Sequence, residues 1–185
     1  MLNGPAAPRA ASDSVHPAAP RVGVVCALAA EAATVHPAPR PGSTVQGDGV
    51  AVHLGGIGQA AARQAAAALL DAGVTALMSW GTAGALAPAL TPGTVLLPEA
   101  IVGEDGRCFA VDPAWRAALV AALAGPVTGG RLLSVDKPVR SPAERRRLHG
   151  ELDTIAVDME SRAIAEAAAA AGVPFLAVRA IADTA

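Results

Sequence analysis

Residues 155–183, IAVDMESRAIAEAAAAAGVPFLAVRAIAD, decide how this chain folds. Ile155 to Val157 is a short apolar run suited to a buried strand. Asp158 stands where a helix N-cap would, so Glu160 falls in the first helical turn. An alanine-rich helix follows, and Phe175 to Ile181 is a second buried strand with Asp183 just past its C-terminal end. Such a strand–helix–strand unit belongs to an α/β sheet, whose ligands collect outside the carboxyl ends of the strands. A carboxyl held there by apolar neighbours has its pKa raised towards neutrality and becomes a candidate proton donor, which singles out Asp183. Arg179 lies mid-strand, where an unpaired charge is costly, so a buried carboxylate partner is expected, with Glu99 or Glu160 the candidates.

Composition limits the function classes. With 185 residues, 52% hydrophobic and 16% charged, the chain has material for one sizeable core. The net charge of −2 and the lack of a basic stripe interleaved with aromatics give no case for nucleic acid, so a small-molecule site is expected. Cys26 and Cys108 are far apart, and His16, His36, His53 and His149 show no paired spacing; neither a disulfide framework nor a metal site is predicted. A reduced, cytoplasmic setting fits best. Residues 1–20, rich in Ala, Pro and Ser, are expected to be a flexible leader before a domain over 21–185. The alanine-rich run 163–171 is bracketed by Arg162, Glu166 and Gly172, so no spanning helix and no integral membrane association are predicted.

Along the chain, Arg21 to Ala27 is the first strand, ending in a loop that carries Glu31. His36 to Pro41 is a proline-rich turn, and Gly49 to Leu54 is the second strand. Gly55-Gly56-Ile57-Gly58-Gln59-Ala60-Ala61 then precedes a helix to about Ala72; glycines let the backbone approach a ligand, and the helix start offers unpaired N–H groups. The same spacing fits a dinucleotide fingerprint, which needs an acidic residue at the end of the next strand. Leu77-Met78-Ser79-Trp80 stands there and supplies none. Thr75 to Ser79 is a buried strand running into the loop Gly81-Thr82-Ala83-Gly84-Ala85-Leu86, read either as a hydroxyl-bearing binding loop or as a plain glycine turn.

Further strands are expected at Thr94 to Leu97, Glu99 to Val102 and Arg131 to Ser134, with a hairpin at Glu104-Asp105-Gly106. Asp112-Pro113 opens a helix through Leu123, in which Trp115 reads as core or interface. Ser141-Pro142-Ala143-Glu144 is a capping box, and the basic turn Arg145 to Arg147 reads as a solvated face.

Val157-Asp158-Met159-Glu160 and Arg179-Ala180-Ile181-Ala182-Asp183 resemble two motifs of the purine nucleoside phosphorylases and nucleosidases, the family that includes methylthioadenosine/S-adenosylhomocysteine nucleosidase. There they read Val-Glu-Met-Glu and Arg-Ala-Ile-Ser-Asp, at the same separation across a helix. Gly55-Gly56-Ile57-Gly58 is similar to the family's Ser-Gly-Ile-Gly loop, and Gly81-Thr82-Ala83-Gly84 to its Gly-Ser-Ala-Gly loop. The resemblance runs from about Arg21 to Asp183. It implies a three-layer α/β/α fold, a mixed central β-sheet flanked by helices, apparently without the C-terminal helix that usually follows the aspartate. Either the sequence continues or another subunit covers that face, and a homo-oligomer is implied.

The resemblance also implies roles. Asp183 protonates the leaving base, Glu31 deprotonates the attacking water, Glu160 binds the ribose hydroxyls, and Met159 packs on the sugar. Gly56, Gly81 and Thr82 complete the binding set. The alternative for Glu31 is a solvated helix-start glutamate. No cofactor is implied; phosphate is a candidate co-substrate, although Ser79 stands where phosphorylases often carry a phosphate-binding arginine. Pro138 lies nearest to a base-stacking phenylalanine of the methylthioadenosine enzymes, and a chain with two Phe, two Trp and no Tyr offers little aromatic clamping.

Pro98-Glu99-Ala100-Ile101, Asp105-Gly106-Arg107, Val111-Asp112-Pro113-Ala114-Trp115-Arg116 and the Ser141 box look most like the hopanoid-associated phosphorylase branch. That branch implies release of adenine from adenosylhopane, a lipid-tailed nucleoside, in hopanoid biosynthesis. The alternatives are a methylthioadenosine/S-adenosylhomocysteine-type nucleosidase and a non-catalytic nucleoside-binding module of the same fold.

Overall fold

The apolar runs of the sequence become strands of one mixed sheet, seen in a computed structural model that describes residues 21–35, 39–47 and 49–185. The expected leader and the start of the proline-rich turn lie outside the described residues. The chain opens with β1 (Val22–Cys26), a single helical turn α1 (Ala29–Ala32), the hairpin β2 (Thr44–Gly47) and β3 (Val50–Leu54), and helix α2 (Gln59–Asp71). Next come the long β4 (Ala76–Ala85), then β5 (Val95–Leu96), β6 (Ala100–Gly103), β7 (Cys108–Ala110), α3 (Pro113–Ala122), β8 (Val127–Thr128) and β9 (Arg131–Ser134). Helix α4 (Pro142–Leu152), β10 (Ala156–Asp158), α5 (Ser161–Ala171) and β11 (Phe175–Asp183) complete it.

The main path of the sheet runs β2-β3-β1-β4-β10-β9-β6-β7, with β11 pairing both β4 and β5, and β5 pairing β8. The mixed central sheet with flanking helices agrees with the expected fold class. β4 is the hub: it runs parallel to β1 and β11 and antiparallel to β10, with Ala85 opposite Ala156. Three neighbours on one strand are possible because its ten residues outlast any single partner. At the far end of β11 the register slips: Ile181 faces Ala83, Asp183 faces Gly84, and Ala182 is the extra residue of a bulge.

Two of the helices, α3 and α4, start on side-chain caps. Asp112 accepts from the Trp115 amide at 2.7 Å and Ser141 from Glu144, each with proline at the first helical position. Gly172 ends α5 in the left-handed conformation, φ 66°. Small side chains fill the core between helices: Ala62, Ala65 and Ala66 of α2 and Ala163, Ala165 and Ala168 of α5 are all buried. Close backbone approach is therefore what holds this pair, with Leu69 and Ile164 supplying the bulk. Trp115 packs, partly buried, on this core.

Several expectations need correcting. The segment from Gly81 to Ala85 is strand, not loop, because β11 and β10 take up its hydrogen bonds. Asp183 closes β11 instead of lying beyond it. The strands β2 and β8 were not expected; β2 is a polar, half-exposed edge strand with no apolar run to betray it.

Candidate active site

β1, β4, β10 and β11 end close together, and three carboxylates meet there. A cavity of about 220 Å³ is lined by Glu31, Thr82, Met159, Glu160 and Asp183, with Leu28 and Ile57 also on its wall. Residues remote in sequence are thus brought to one place. Gly81 borders a narrow recess behind the cavity, beside Glu31 and Glu160. Gly56, at φ 102°, does not line the cavity; its neighbour Ile57 does.

Glu31 is buried at the start of α1, where its Oε2 accepts from the Ala27 and Leu28 amides at 3.2 and 3.0 Å. Its Oε1 accepts from the Thr82 amide at 2.8 Å and the Thr82 hydroxyl at 2.9 Å. Gly81 is needed beside it, since a Cβ there would stand 2.7 Å from the carboxyl carbon. A solvated helix-start glutamate is therefore not what the fold builds. Of the four donors, only the Thr82 hydroxyl can rotate away, so a polar ligand has one place to join the carboxylate.

Glu160 takes up the N-cap position of α5, with no side-chain capping bond of its own. Its Oε1 accepts from the Gly58 amide at the start of α2, 2.8 Å away. Burial, and then the neighbouring Asp158 charge, push its pKa above the ordinary glutamate value. The helix begins later than expected, with Glu160 at its N-cap and not in its first turn. Asp158 still accepts from the amide of Ser161, the first helical residue, at 3.2 Å, while it points inward as the partner of Arg179.

Arg179 is 2% exposed, as its place in an apolar strand demanded, but its partner is neither Glu99 nor Glu160. Its Nε and Nη2 donate to Asp158 Oδ2 at 3.0 and 2.6 Å, and Nη2 also donates to the Ser161 hydroxyl at 2.8 Å. Ser79 and Ser161 complete this buried polar group. Ser79 thus serves the floor of the site. Glu99 instead pairs with Arg116 near the surface.

Asp183 overturns a second expectation. Its side chain is 51% exposed, not wrapped in apolar groups, and Arg145 Nη2 donates to its Oδ2 at 2.6 Å. The Ala85 amide donates to Oδ1 at 3.2 Å. The Arg145 hydrogen bond is the main reason its carboxyl is held below the ordinary aspartate value, against a smaller upward push from burial. Arg145 is correspondingly no solvated residue: its side chain is 11% exposed. Nothing in the run Arg145-Arg146-Arg147 distinguished it, although its position one turn into a well-capped helix was readable.

A second lobe of about 160 Å³ adjoins the first and shares Gly84, Met159 and Asp183 with it. Val135, Pro138, Val139 and Arg145 line it, giving an apolar wall without an aromatic platform. Among the described residues no group of three His, Cys, Asp or Glu could hold a metal ion. No described helix is long and apolar enough to cross a membrane.

Residues 21–185 match the family described as the phosphorylase superfamily. No curated protein matches the chain. Among solved structures, it is similar to a mutant of the Helicobacter pylori methylthioadenosine nucleosidase with 5′-methylthioadenosine in its active site. The TM-score is 0.76 at 18% identity, over 89% of this chain and 85% of that one. The Neisseria meningitidis 5′-methylthioadenosine/S-adenosylhomocysteine nucleosidase in complex with methylthio-immucillin-A gives 0.77 at 23% identity, covering 88% and 85%. Helicobacter pylori futalosine hydrolase gives 0.76 at 19%, covering 89% and 84%.

Proposed function

We propose, from the premise that this chain belongs to the phosphorylase superfamily of glycosyl-bond-cleaving enzymes, that it hydrolyses the N-glycosidic bond of an adenine nucleoside, as a methylthioadenosine-type nucleosidase. The observation that carries this reading is the meeting of Glu31, Glu160 and Asp183 on one cavity. Cleavage passes through an oxocarbenium-like sugar, which needs an acid on the leaving base, hydrogen bonds to the sugar and a nucleophile on the opposite face. In this assignment the base sits in the lobe beside Asp183, which delivers the proton. Glu160 accepts from the ribose hydroxyls, and Met159 packs against the ring. Water replaces the Thr82 hydroxyl on Glu31 Oε1, and Glu31 takes its proton as it attacks. Negative charge around the cavity favours a cationic sugar and opposes phosphate. The two arginines nearest to it, Arg179 and Arg145, are already engaged by Asp158 and Asp183. Cys26 and Cys108, both free thiols, fit a reducing compartment.

Adenine release from 5′-methylthioadenosine, followed with and without phosphate, tests the reading. Equal rates in both buffers are expected. Strict phosphate dependence would establish phosphorolysis, and no release in either would leave a nucleoside-binding module. The lipid-tailed reading, adenosylhopane as substrate, has one supporting observation. Leu28 and Ile57, 42% and 63% exposed, stand at the cavity as an apolar rim where a 5′ substituent would leave. A kcat/KM for adenosylhopane at least tenfold above that for methylthioadenosine would favour it.

A further inference from the structure

Arg145 is the one described side chain that ties the candidate acid to the walls of the base lobe. Its Nη1 donates to the carbonyl oxygens of Ala85, at the end of β4, and Thr184, just after β11, at 3.2 and 2.6 Å. Its Nη2 donates to the Val139 carbonyl at 3.2 Å and to Asp183 Oδ2 at 2.6 Å. All four terminal N–H groups of the guanidinium are thereby used. Three reach backbone carbonyls on three separate segments, and the fourth reaches the Asp183 carboxylate. Gly84 leaves room for this arrangement, since a Cβ there would stand 2.9 Å from Asp183 Oδ1. The lobe of Val135, Pro138 and Val139 is closed at one side by the same guanidinium.

We propose that Arg145 is a positioning residue for cleavage: it aims the Asp183 carboxylate into the base lobe and stores it as an ion pair that the entering base must loosen before a proton can be shared. This rests on the assignment of Asp183 as the acid. The guanidinium loses no proton itself; the proton passes from solvent to Asp183 Oδ2 as the Nη2 bond lengthens, and from Asp183 to the base nitrogen as the glycosidic bond breaks. The charged groups that face Asp183 are Arg145 from α4 and, across the cavity, Glu31 from α1 and Glu160 and Asp158 from the β10–α5 junction, the last already paired with Arg179. Among these Arg145 alone touches the Asp183 carboxylate, and its hydrogen bond is the main reason that the ionised form is favoured. Its removal takes that cause away.

The test is the pH dependence of kcat/KM for adenine release from methylthioadenosine, which reports the free enzyme. In Arg145→Met the alkaline limb is expected to move up by at least one pH unit, while kcat at its new optimum falls at least tenfold because the carboxyl is no longer aimed. Arg145→Gln, which keeps donors for the carbonyls but no charge, is expected to show the same displacement of the limb and is read if the Met variant fails to fold. Arg145→Lys keeps the charge and should hold the limb within half a unit of wild type. An unmoved limb in the Met or Gln variant, with Asp183→Asn inactive, overturns the role of Arg145 and leaves the acid assignment standing. Full activity of Asp183→Asn overturns both.

Discussion

Asp158 and Glu160 are two residues apart and chemically alike, yet they do opposite work. Asp158 is sealed against Arg179, and Glu160 faces the cavity. Replacing Arg179 by Met leaves Asp158 charged and unpaired in the interior, which costs about 3–5 kcal/mol. For a chain of this size that is roughly 6–20 °C in Tm, to be read by thermal denaturation. Glu160 behaves differently. Because burial and Asp158 raise its pKa in the native state, the folded protein holds that proton more tightly than the unfolded chain. Its favourable contribution is therefore complete below the unfolded value of 4.5 and is lost as pH rises through the raised native value. Glu160→Gln, which keeps an acceptor for the Gly58 amide, should melt above wild type at pH 7 and level with it near pH 4, with activity greatly reduced at both. Asp183→Asn should lower kcat by about 10²- to 10⁴-fold while nucleoside binding, measured by calorimetry, is largely kept. The sequence marked these acids as a set but not which would turn inward. The choice is made where a strand gives way to a helix, and one residue of phase there reverses the direction of a side chain.

Two elements, β4 and α4, carry most of what sequence reading missed. β4 was legible as a strand only to Ser79. The glycines beyond it suggest a turn, and the strand continues because β10 and β11, separated from it by about 70 to 90 residues, supply partners. Glycine at 81 matters for contact, not for a turn: Gly81→Ala drives a methyl group into the Glu31 carboxyl. We expect at least a tenfold loss of kcat with the far-ultraviolet spectrum unchanged; wild-type kcat would detach Glu31 from the reaction. α4 is held in place by its cap, and Ser141→Ala should cost about 1 kcal/mol. The serine cap with its proline was read correctly, and the basic turn after it is solvated at Arg146 and Arg147 but not at Arg145. A guanidinium one turn in can be exposed or buried depending on what lies opposite, and the carbonyls of Ala85, Val139 and Thr184 are assembled only by the tertiary fold.

At the scale of the molecule, a single sheet edge gathers a residue just after β1 and another at the end of β11, so a bound nucleoside should brace the whole structure. A saturating analogue present at 100 times its Kd is expected to add about 2.7 kcal/mol, or roughly 5–11 °C in Tm, in a thermal-shift assay. An unchanged Tm with an adenine nucleoside at millimolar concentration would contradict the proposed substrate class. The class of fold was legible because its strand–helix–strand unit is local. The order of strands was not, since it depends on pairings that no short window contains. One of those pairings has a price in the cell. β11 fits between β4 and β5, yet about 90 residues separate it from β4. A ribosome working at about 5–20 residues per second needs on the order of 5–18 s to deliver it. Throughout that interval the nascent chain presents the open flank of its longest strand, so overexpression should yield inclusion bodies unless chaperones or slower synthesis shield that flank.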